Sequence, residues 1–387
     1  MTKIVFLCLL LTFILNGVDG QIKLSQQSKI SVLTCAQGDE LYSAFGHSAL
    51  RVYDAENNMD LVFNYGTFDF NTPNFYLKFA NGKLDYILSV SQFKRFLAAY
   101  FKENRSVKEQ VLNLSLEDKQ SVFDALMENY RPENRYYKYD FFFDNCATRI
   151  VDIIGDHIDG EIVFENNSAQ EVSFRTYLHH YLSYSPWIET GLNLLLGLPA
   201  DKIATRKEST FLPDFLLQAF DHAVIKSDSA TSALVIEKRE LLSLNTPSSL
   251  HKTFYTPMFI CSVILLVVLV LSFVLNSNIL VYLDRFLFFI TGLVGILVAY
   301  LWFVTDHSVP ANNLNILWAL PTFVYLAFSK FNSKFSKILI YIHLVCLCVF
   351  LLGWKFIPQA FPMATIPMAL LLVFRLYLKR NRNTKFV

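Results

Sequence analysis

From Pro257 to the C-terminus the chain is dominated by long apolar runs, and these constrain its fold more than any other feature. Five candidate spans can be counted, at about 257–276, 283–303, 312–328, 337–353 and 359–377, each near the roughly 20 residues that cross a bilayer core as a helix. Lys and Arg set the orientation, because cytoplasmic loops are enriched in them. Lys330, Lys334 and Lys337 follow the third span, and Lys379, Arg380, Arg382 and Lys385 follow the fifth, so both stretches should be cytoplasmic. The loop FVTDHSVPANNLN between spans two and three has no Lys or Arg and should face outward. Five helices that start outside and end inside satisfy these signals.

The other end agrees. Residues 1–20 carry Lys3, then an apolar run from Ile4 to Leu15, then small Val18 and Gly20 before Gln21. This reads as a secretory signal, with an uncleaved anchor as the alternative. No lipobox precedes a Cys there, so the chain is not expected to be lipidated itself. The expected organisation is a signal at 1–20, an exported domain at 21–250 and a transmembrane domain with a cytoplasmic tail at 251–387. With 53% hydrophobic and 17% charged residues, the chain departs from a soluble enzyme on both counts. A net charge of +1 gives no basic field, so no nucleic-acid partner is expected.

Strands open the exported domain. HSALRVY (47–53) and LVFNY (61–65) flank the polar turn DAENNMD and read as a hairpin with a longer loop. Asp85–Val90 and Val107–Leu114 are further strand candidates. Helices are expected at 91–104 and 115–130, the latter capped by Ser115, and again after Asp144 or Asn145. Residues 174–225 look helical with breaks at Pro186, Gly191, Gly197, Pro199 and Pro213. Residues 226–250 read as a polar connector or peripheral hairpin.

Cys146 carries the chemistry. Cys261, Cys346 and Cys348 fall in apolar spans, and Cys8 in the signal, which leaves Cys35 and Cys146 in the exported domain. An oxidising compartment permits a disulfide between them. Cys146 in DNCATR also stands at the first turn of a helix, where N–H groups and the helix dipole should lower its pKa and make it a nucleophile. His47, at the start of a strand in FGHSALRVY, is the candidate base. Pairing of the two strands puts Asn64 opposite Ala49 and so near His47, where an amide can orient the imidazole. Asn145 either caps the helix or helps line an oxyanion hole. The Phe and Tyr of FDFNTPNFYLKF and YYKYDFFF are either core or a greasy entrance.

A strand His followed much later by a Cys at a helix start resembles a circularly permuted papain-like fold, as in NlpC/P60-type peptidases. More specifically, FGHSALRVYD, FNYGTFDF, NFYLKFANGKLDY and YDFFFDNCATR resemble the periplasmic domain of the Lnb family of lipoprotein N-acyltransferases of Bacteroidetes. The likeness continues through GLNLLLGLPAD, FLPDFL and the outward loop DHSVPANNLNILWALP. It implies an α+β, permuted papain-like periplasmic domain followed by a bundle of about five helices in the inner membrane. It implies that Cys146 takes an acyl chain from a membrane phospholipid as a thioester, with His47 as base. The acceptor is the α-amine of a diacylated apolipoprotein. No cofactor and no metal are implied. Arg51 and Arg149 are candidate headgroup or carboxylate partners, against a reading as ion pairs. His307 and Asn313, with Asp306, Asn312 and Asn315, are candidate substrate contacts in the outward loop, against a solvated turn. If Cys146 is the nucleophile, Cys35 must be free or structural. A cysteine hydrolase (phospholipase, thioesterase or wall peptidase) and a non-catalytic scaffold with Cys35 bridged to Cys146 are the competing readings.

Overall fold

A computed structural model describes residues 22–164, 171–228, 230–244, 255–275, 277–331 and 333–382; the expected signal at 1–20 and the expected junction near 250 lie outside them. Among the described residues the part before Pro257 is α+β. Strands β1 (Lys29–Cys35), β2 (His47–Asp54), β3 (Met59–Thr67), β4 (Asp85–Gln92), β5 (Val107–Leu112) and β6 (Tyr136–Lys138) belong to one sheet. Between them lie helices α1 (Phe75–Ala80), α2 (Phe93–Lys102) and α3 (Leu116–Tyr130); α4 (Cys146–Gly155) follows β6. Strands β7 (Glu161–Phe164), β8 (Ala223–Lys226) and β9 (Thr231–Ala233) make a small second sheet, and β10 (Val235–Leu242) returns to the first. The large sheet runs β10-β5-β1-β2-β3-β4-β6, with antiparallel pairs throughout.

Three elements of this sheet escape the sequence reading: the three-residue β6, β1 and β10. β1 is central and buried on both faces, so KISVLTC shows a run of buried residues rather than the alternation that marks a half-buried strand. β10 falls in the stretch expected as a connector or peripheral hairpin. It is an edge strand whose VIEKRELL sequence is charged, as edge strands often are to discourage further pairing.

Period-2 alternation sorts the core. Ile30 and Val32 of β1, Leu50 and Val52 of β2, and Phe63 and Tyr65 of β3 pack with α3 and α4. Leu33, Cys35, Ala49 and Val62 point to the opposite face and pack with Phe96 of α2. Beside the sheet lies a third cluster, where Phe142 and Phe211 meet Phe174. Helices α5 (Phe174–Leu182), α6 (Pro186–Leu195) and α8 (Pro213–His222) contribute to it, and the single turn α7 (Arg206–Ser209) lies between α6 and α8 in the chain.

The C-terminal part is helical: α9 (Pro257–Val274), α10 (Ser277–Phe303), α11 (Phe323–Phe328), α12 (Lys334–Gly353) and α13 (Thr365–Arg382). Among the described residues three helices are long and apolar enough to cross a membrane, Pro257–Val274, Ile279–Phe303 and Lys334–Gly353. The third expected span, 312–328, is not one helix. A 3-10 turn at Leu314–Leu317 is followed by the six-residue α11. Asn312 is left-handed at φ 54°, Pro321 lacks an N–H, and the buried Asn313 and Asn315 amides are spent on other segments. The broken segment still runs beside α10, with Phe323 and Phe331 against Phe288 and Phe328 against Phe289. Irregular backbone at membrane depth is tolerated where protein covers it. The fifth expected span starts late, at Thr365, because Pro358 and Pro362 hold the preceding residues out of a helix.

Hydropathy also conceals a charge cluster. Asp284 of α10 is fully buried and pairs with Arg375 at 2.5 Å and Lys379 at 2.8 Å, both on α13. Arg375 also donates to Ser272 Oγ on α9 at 2.6 Å, so three helices are tied at one point. Removing one partner of a buried pair strands the others. Asp284→Ala is expected to cost about 3–5 kcal/mol, seen as loss of the folded peak in detergent size-exclusion profiles. Arg375→Met in the same chain should recover part of it.

Hydrogen bonds join the outward loops of the helical part to the exported part. Asp306 N–H donates to Asn81 O at 2.9 Å, Tyr300 Oη bonds Asn81 Oδ1, and Ser308 Oγ bonds Asp140 Oδ2. Asn313 Nδ2 donates to Leu194 O at 2.9 Å, and Ala360 N–H to Asp201 Oδ1 at 3.1 Å. The α+β part is therefore held against the outward ends of the helices.

Candidate active site

The site begins with a helix cap. Asp140 Oδ1 accepts from the N–H groups of Phe142 and Phe143 and closes a turn that aims the chain at α4. Asn145 then caps α4, its Oδ1 accepting from Ala147 N–H at 2.8 Å and Thr148 N–H at 3.0 Å, while Thr148 Oγ1 returns the bond to Asn145 N–H. Cys146 is thus the first residue of the helix. Asn145 Nδ2 donates to Phe141 O at 2.7 Å and Phe211 O at 2.9 Å. With every polar atom engaged and only 2% of its surface exposed, this side chain caps the helix and is not open to a substrate, which corrects the reading of Asn145 as a lining group. Asn145→Ala should lower stability by about 2 kcal/mol, the sum of a lost cap and two orphaned carbonyls. Asn145→Asp keeps the cap, loses the donors and should fall between; thermal melting in detergent ranks the three.

β2 supplies the opposing wall. Gly46 at φ +79° turns the chain into the strand, since a Cβ there would stand 2.8 Å from Cys35 O. The β2–β3 ladder ends at Leu50↔Phe63, although β2 begins at His47 and β3 runs on to Thr67. The β3–β4 register also shifts between Asn64 and Thr67. Gly66, at φ +85°, takes the kink. The sheet therefore opens between the start of β2 and the end of β3, and the N-terminus of α4 fills the opening. A Cβ built on Gly66 would lie 3.8 Å from Cys146 Cβ and 3.4 Å from the Tyr139 ring.

The thiol meets three backbone N–H groups, those of Ser48, Ala147 and Cys146 itself, each of which favours the thiolate. Burial acts more strongly the other way and leaves the Cys146 pKa above its usual value, contrary to the lowered pKa expected from the helix terminus alone. His47 precedes Ser48, whose N–H reaches the sulfur, so the His47 backbone lies one residue from the thiol's donor. Alternation places His47 on the sheet face opposite α4, with Ala49 and Arg51. The open ladder is what makes the thiol reachable from that face. Burial, reinforced by the nearby Arg105 cation, lowers the His47 pKa to about 4, and a hydrogen bond with the Asn64 side chain opposes the shift. Both groups are therefore neutral at neutral pH.

Tyr137 and Tyr139 complete the surroundings, their phenols held protonated by burial and by the neighbouring Cys146. Arg149, one turn along α4, is bidentate to Asp144 at 2.5 and 2.7 Å and lies 3.8 Å over the Tyr137 ring. Cys35, paired with His47 across β1 and β2, is free, as is Cys146.

Residues 19–179 match the family model described as the Lnb N-terminal periplasmic domain, and residues 249–385 match the one described as the Lnb transmembrane domain. The chain belongs to the Lnb family. No curated protein and no solved structure matches it. Like other members of the Lnb family it is a membrane protein with a periplasmic region.

Within this Lnb chain the site residues expected from sequence fall into two groups. Cys146 and Arg149 lie on the first turn of α4 at the opening in the sheet, and His47 and Asn64, hydrogen-bonded to each other, lie on the strand ends that border it. Arg51 does not: it lies on the α2 face, bonded to Asp60 at 2.7 Å and Glu109 at 3.0 Å and stacked 3.4 Å over Phe93. The ion-pair reading holds for it. The buried Asn313 accepts from Asn315 and Gln359 and donates to Leu194 O, so it clasps α6 to the helical part and is not open to a substrate. His307 is half-buried, with Nε2 3.1 Å from Phe79 O. Sequence reasoning missed Ser48 and Tyr139; the HS dipeptide at 47–48 was the available signal for the first. Among the described residues no group of three or more His, Cys, Asp and Glu side chains is placed to hold a metal ion.

Proposed function

We propose that this chain is a lipoprotein N-acyltransferase of the inner membrane, using Cys146 as nucleophile, His47 as general base and Asn64 to orient the imidazole. What supports it is a neutral thiol ringed by backbone donors, with the neutral His47 next in sequence to the Ser48 whose N–H reaches the sulfur, on a domain bonded to the ends of membrane helices. The strand His before the helix Cys matches the chain order of a permuted papain-like site. Membership in the Lnb family favours lipoprotein processing over the wall-peptidase alternative.

The chemistry runs in two halves. His47 takes the thiol proton as sulfur attacks the ester carbonyl of a phospholipid. The backbone donors around Sγ, those of Ser48 and Cys146 among them, are placed to hold the oxyanion. The C–O bond breaks, His47 protonates the departing lysophospholipid oxygen, and an acyl thioester remains. The neutral α-amine of a diacylglyceryl-cysteine then attacks that thioester. His47 accepts the amine proton and returns it to sulfur as the C–S bond breaks, leaving the amide. Splitting one hard step into two easier ones is the gain from a covalent intermediate. Burial of Cys146, 8% exposed, favours amine over water in the second half. Arg149 has its carboxylate partner in Asp144, so its further role is to hold Tyr137 against the thiol.

The test is mass spectrometry of the N-terminal lipopeptide of a reporter lipoprotein, in cells lacking their own N-acyltransferase. A gain of one acyl chain on expression of this chain supports the reading. Unchanged diacylated peptide beside folded, membrane-inserted protein sinks it, and released free fatty acid would turn attention to the hydrolase.

A further inference from the structure

Large exposed apolar side chains are concentrated in one short stretch of the periplasmic part. Phe70 is 61% exposed, Tyr76 80%, Leu77 61% and Phe79 52%, all within or beside α1. Only Phe75 of that helix is buried. In water such a patch is costly. Its position removes the cost. The end of α1 is fastened to the outward end of α10, through Asn81 to Tyr300 and Asp306, and through Phe79 O to His307. The Ile279–Phe303 span ends at that point, so α1 stands at the level where the hydrocarbon gives way to headgroups. Aromatic side chains interleaved with Lys78 and Lys83 suit that layer.

From this patch a continuous line of ring contacts leads inward. Phe79 stacks on Phe75 at 6.3 Å, Phe75 meets Phe68 at 5.7 Å, Phe68 meets Tyr86 at 5.5 Å, and Tyr86 stacks on Tyr139 at 4.5 Å. Tyr139 and Cys146 converge on Gly66. We propose that the segment from Phe70 to Phe79 is a lip immersed in the outer-leaflet interface, and that a lipid acyl chain follows the aromatic line from Phe79 to Tyr139 to reach Cys146. The route deepens the acyl-transfer reading and rests on it; the immersion of the lip stands on the exposure and the α10 contacts.

The experiment uses the full chain in nanodiscs of phosphatidylethanolamine and phosphatidylglycerol doped with a phospholipid bearing a diazirine acyl chain. With Cys146→Ala, illumination should give adducts on residues 70–79 and on Tyr86 or Tyr139, besides the spans. The triple variant Phe70→Ser, Tyr76→Ser, Phe79→Ser changes only exposed positions. It should cut the Tyr139 adduct at least fivefold and acyl transfer from bilayer lipid at least tenfold. Alkylation of Cys146 by iodoacetamide should stay within twofold, which reports that the site is intact. Adducts confined to the spans, or a triple variant with unchanged labelling, overturns the proposal. Labelled lip with no acyl transfer by the native chain would overturn the reaction and leave the lip, whereas transfer with an unlabelled lip would do the reverse.

Discussion

Replacing Cys146 with serine is expected to lower acyl transfer by roughly 10³-fold or more while leaving the fold in place. Serine is nearly isosteric, and the cap made by Asn145 shares only Ala147 N–H with the sulfur and holds Thr148 N–H without it. The loss comes from nucleophile chemistry. This pocket raises the pKa even of a thiol by burial, and a hydroxyl, far less acidic to begin with, would have to ionise in the same place. The control is Cys35, a second buried thiol near enough for Cys146 to influence its ionisation. Its pKa is pushed up to about 12 by burial, and it packs with the α2-side core, away from α4. Cys35→Ala should keep the rate within about threefold, because no step of the proposed mechanism uses this thiol. Intact-mass analysis after brief exposure to phospholipid separates the cases. The native chain and Cys35→Ala should each carry one acyl chain, labile to hydroxylamine, and Cys146→Ser none. An acyl adduct that follows Cys35 would remove Cys146 as the nucleophile.

What was legible in the sequence was local. The cap before Cys146 is written in three residues, and the Asn64 position follows from a strand register that continues the observed Leu50↔Phe63 count. What was not legible depends on partners far away in the chain. Asn145 can be read as lining an oxyanion hole until Phe211 O, 66 residues on, is seen to take its amide. Arg51 looks like an anion site until Asp60 and Glu109 close on it. The polar loop around Asn313 looks solvated, yet it is spent on α6 and Gln359, and the same hydrogen bonds break the apolar run that hydropathy reads as a third helix. β1 fails for the opposite reason, since two buried faces erase the alternation. The opening in the sheet is the least readable feature. It requires the β2–β3 ladder to stop short of His47, and without it alternation alone would assign His47 and Cys146 to opposite sides of the sheet.

That geometry also fixes how the site should respond to pH. A general base must be neutral to accept a proton, and His47 is lowered from 6.5 to about 4 by burial and by Arg105. The acid limb of kcat/KM is therefore expected near pH 4 rather than between 6 and 7, with the rate holding as the pH falls through the ordinary histidine range. His47→Ala should cost roughly 10²- to 10⁴-fold and abolish that limb. Asn64→Ala removes the one interaction that raises the His47 pKa, so it should move the limb to still lower pH while slowing the reaction through a less well oriented ring. Stability follows the same linkage. Between pH 6.5 and about 4 the unfolded chain binds a proton at this position and the folded chain does not, so the contribution is present in full above 6.5 and is lost as the pH falls to 4. The shift corresponds to about 3 kcal/mol. Thermal melting of the native chain and of His47→Gln at pH 7 and pH 4.5 measures it: the glutamine variant should lose less stability on acidification. Equal losses would mean that His47 is already solvated and titrates normally, and the kcat/KM limb would then have to appear near pH 6.5.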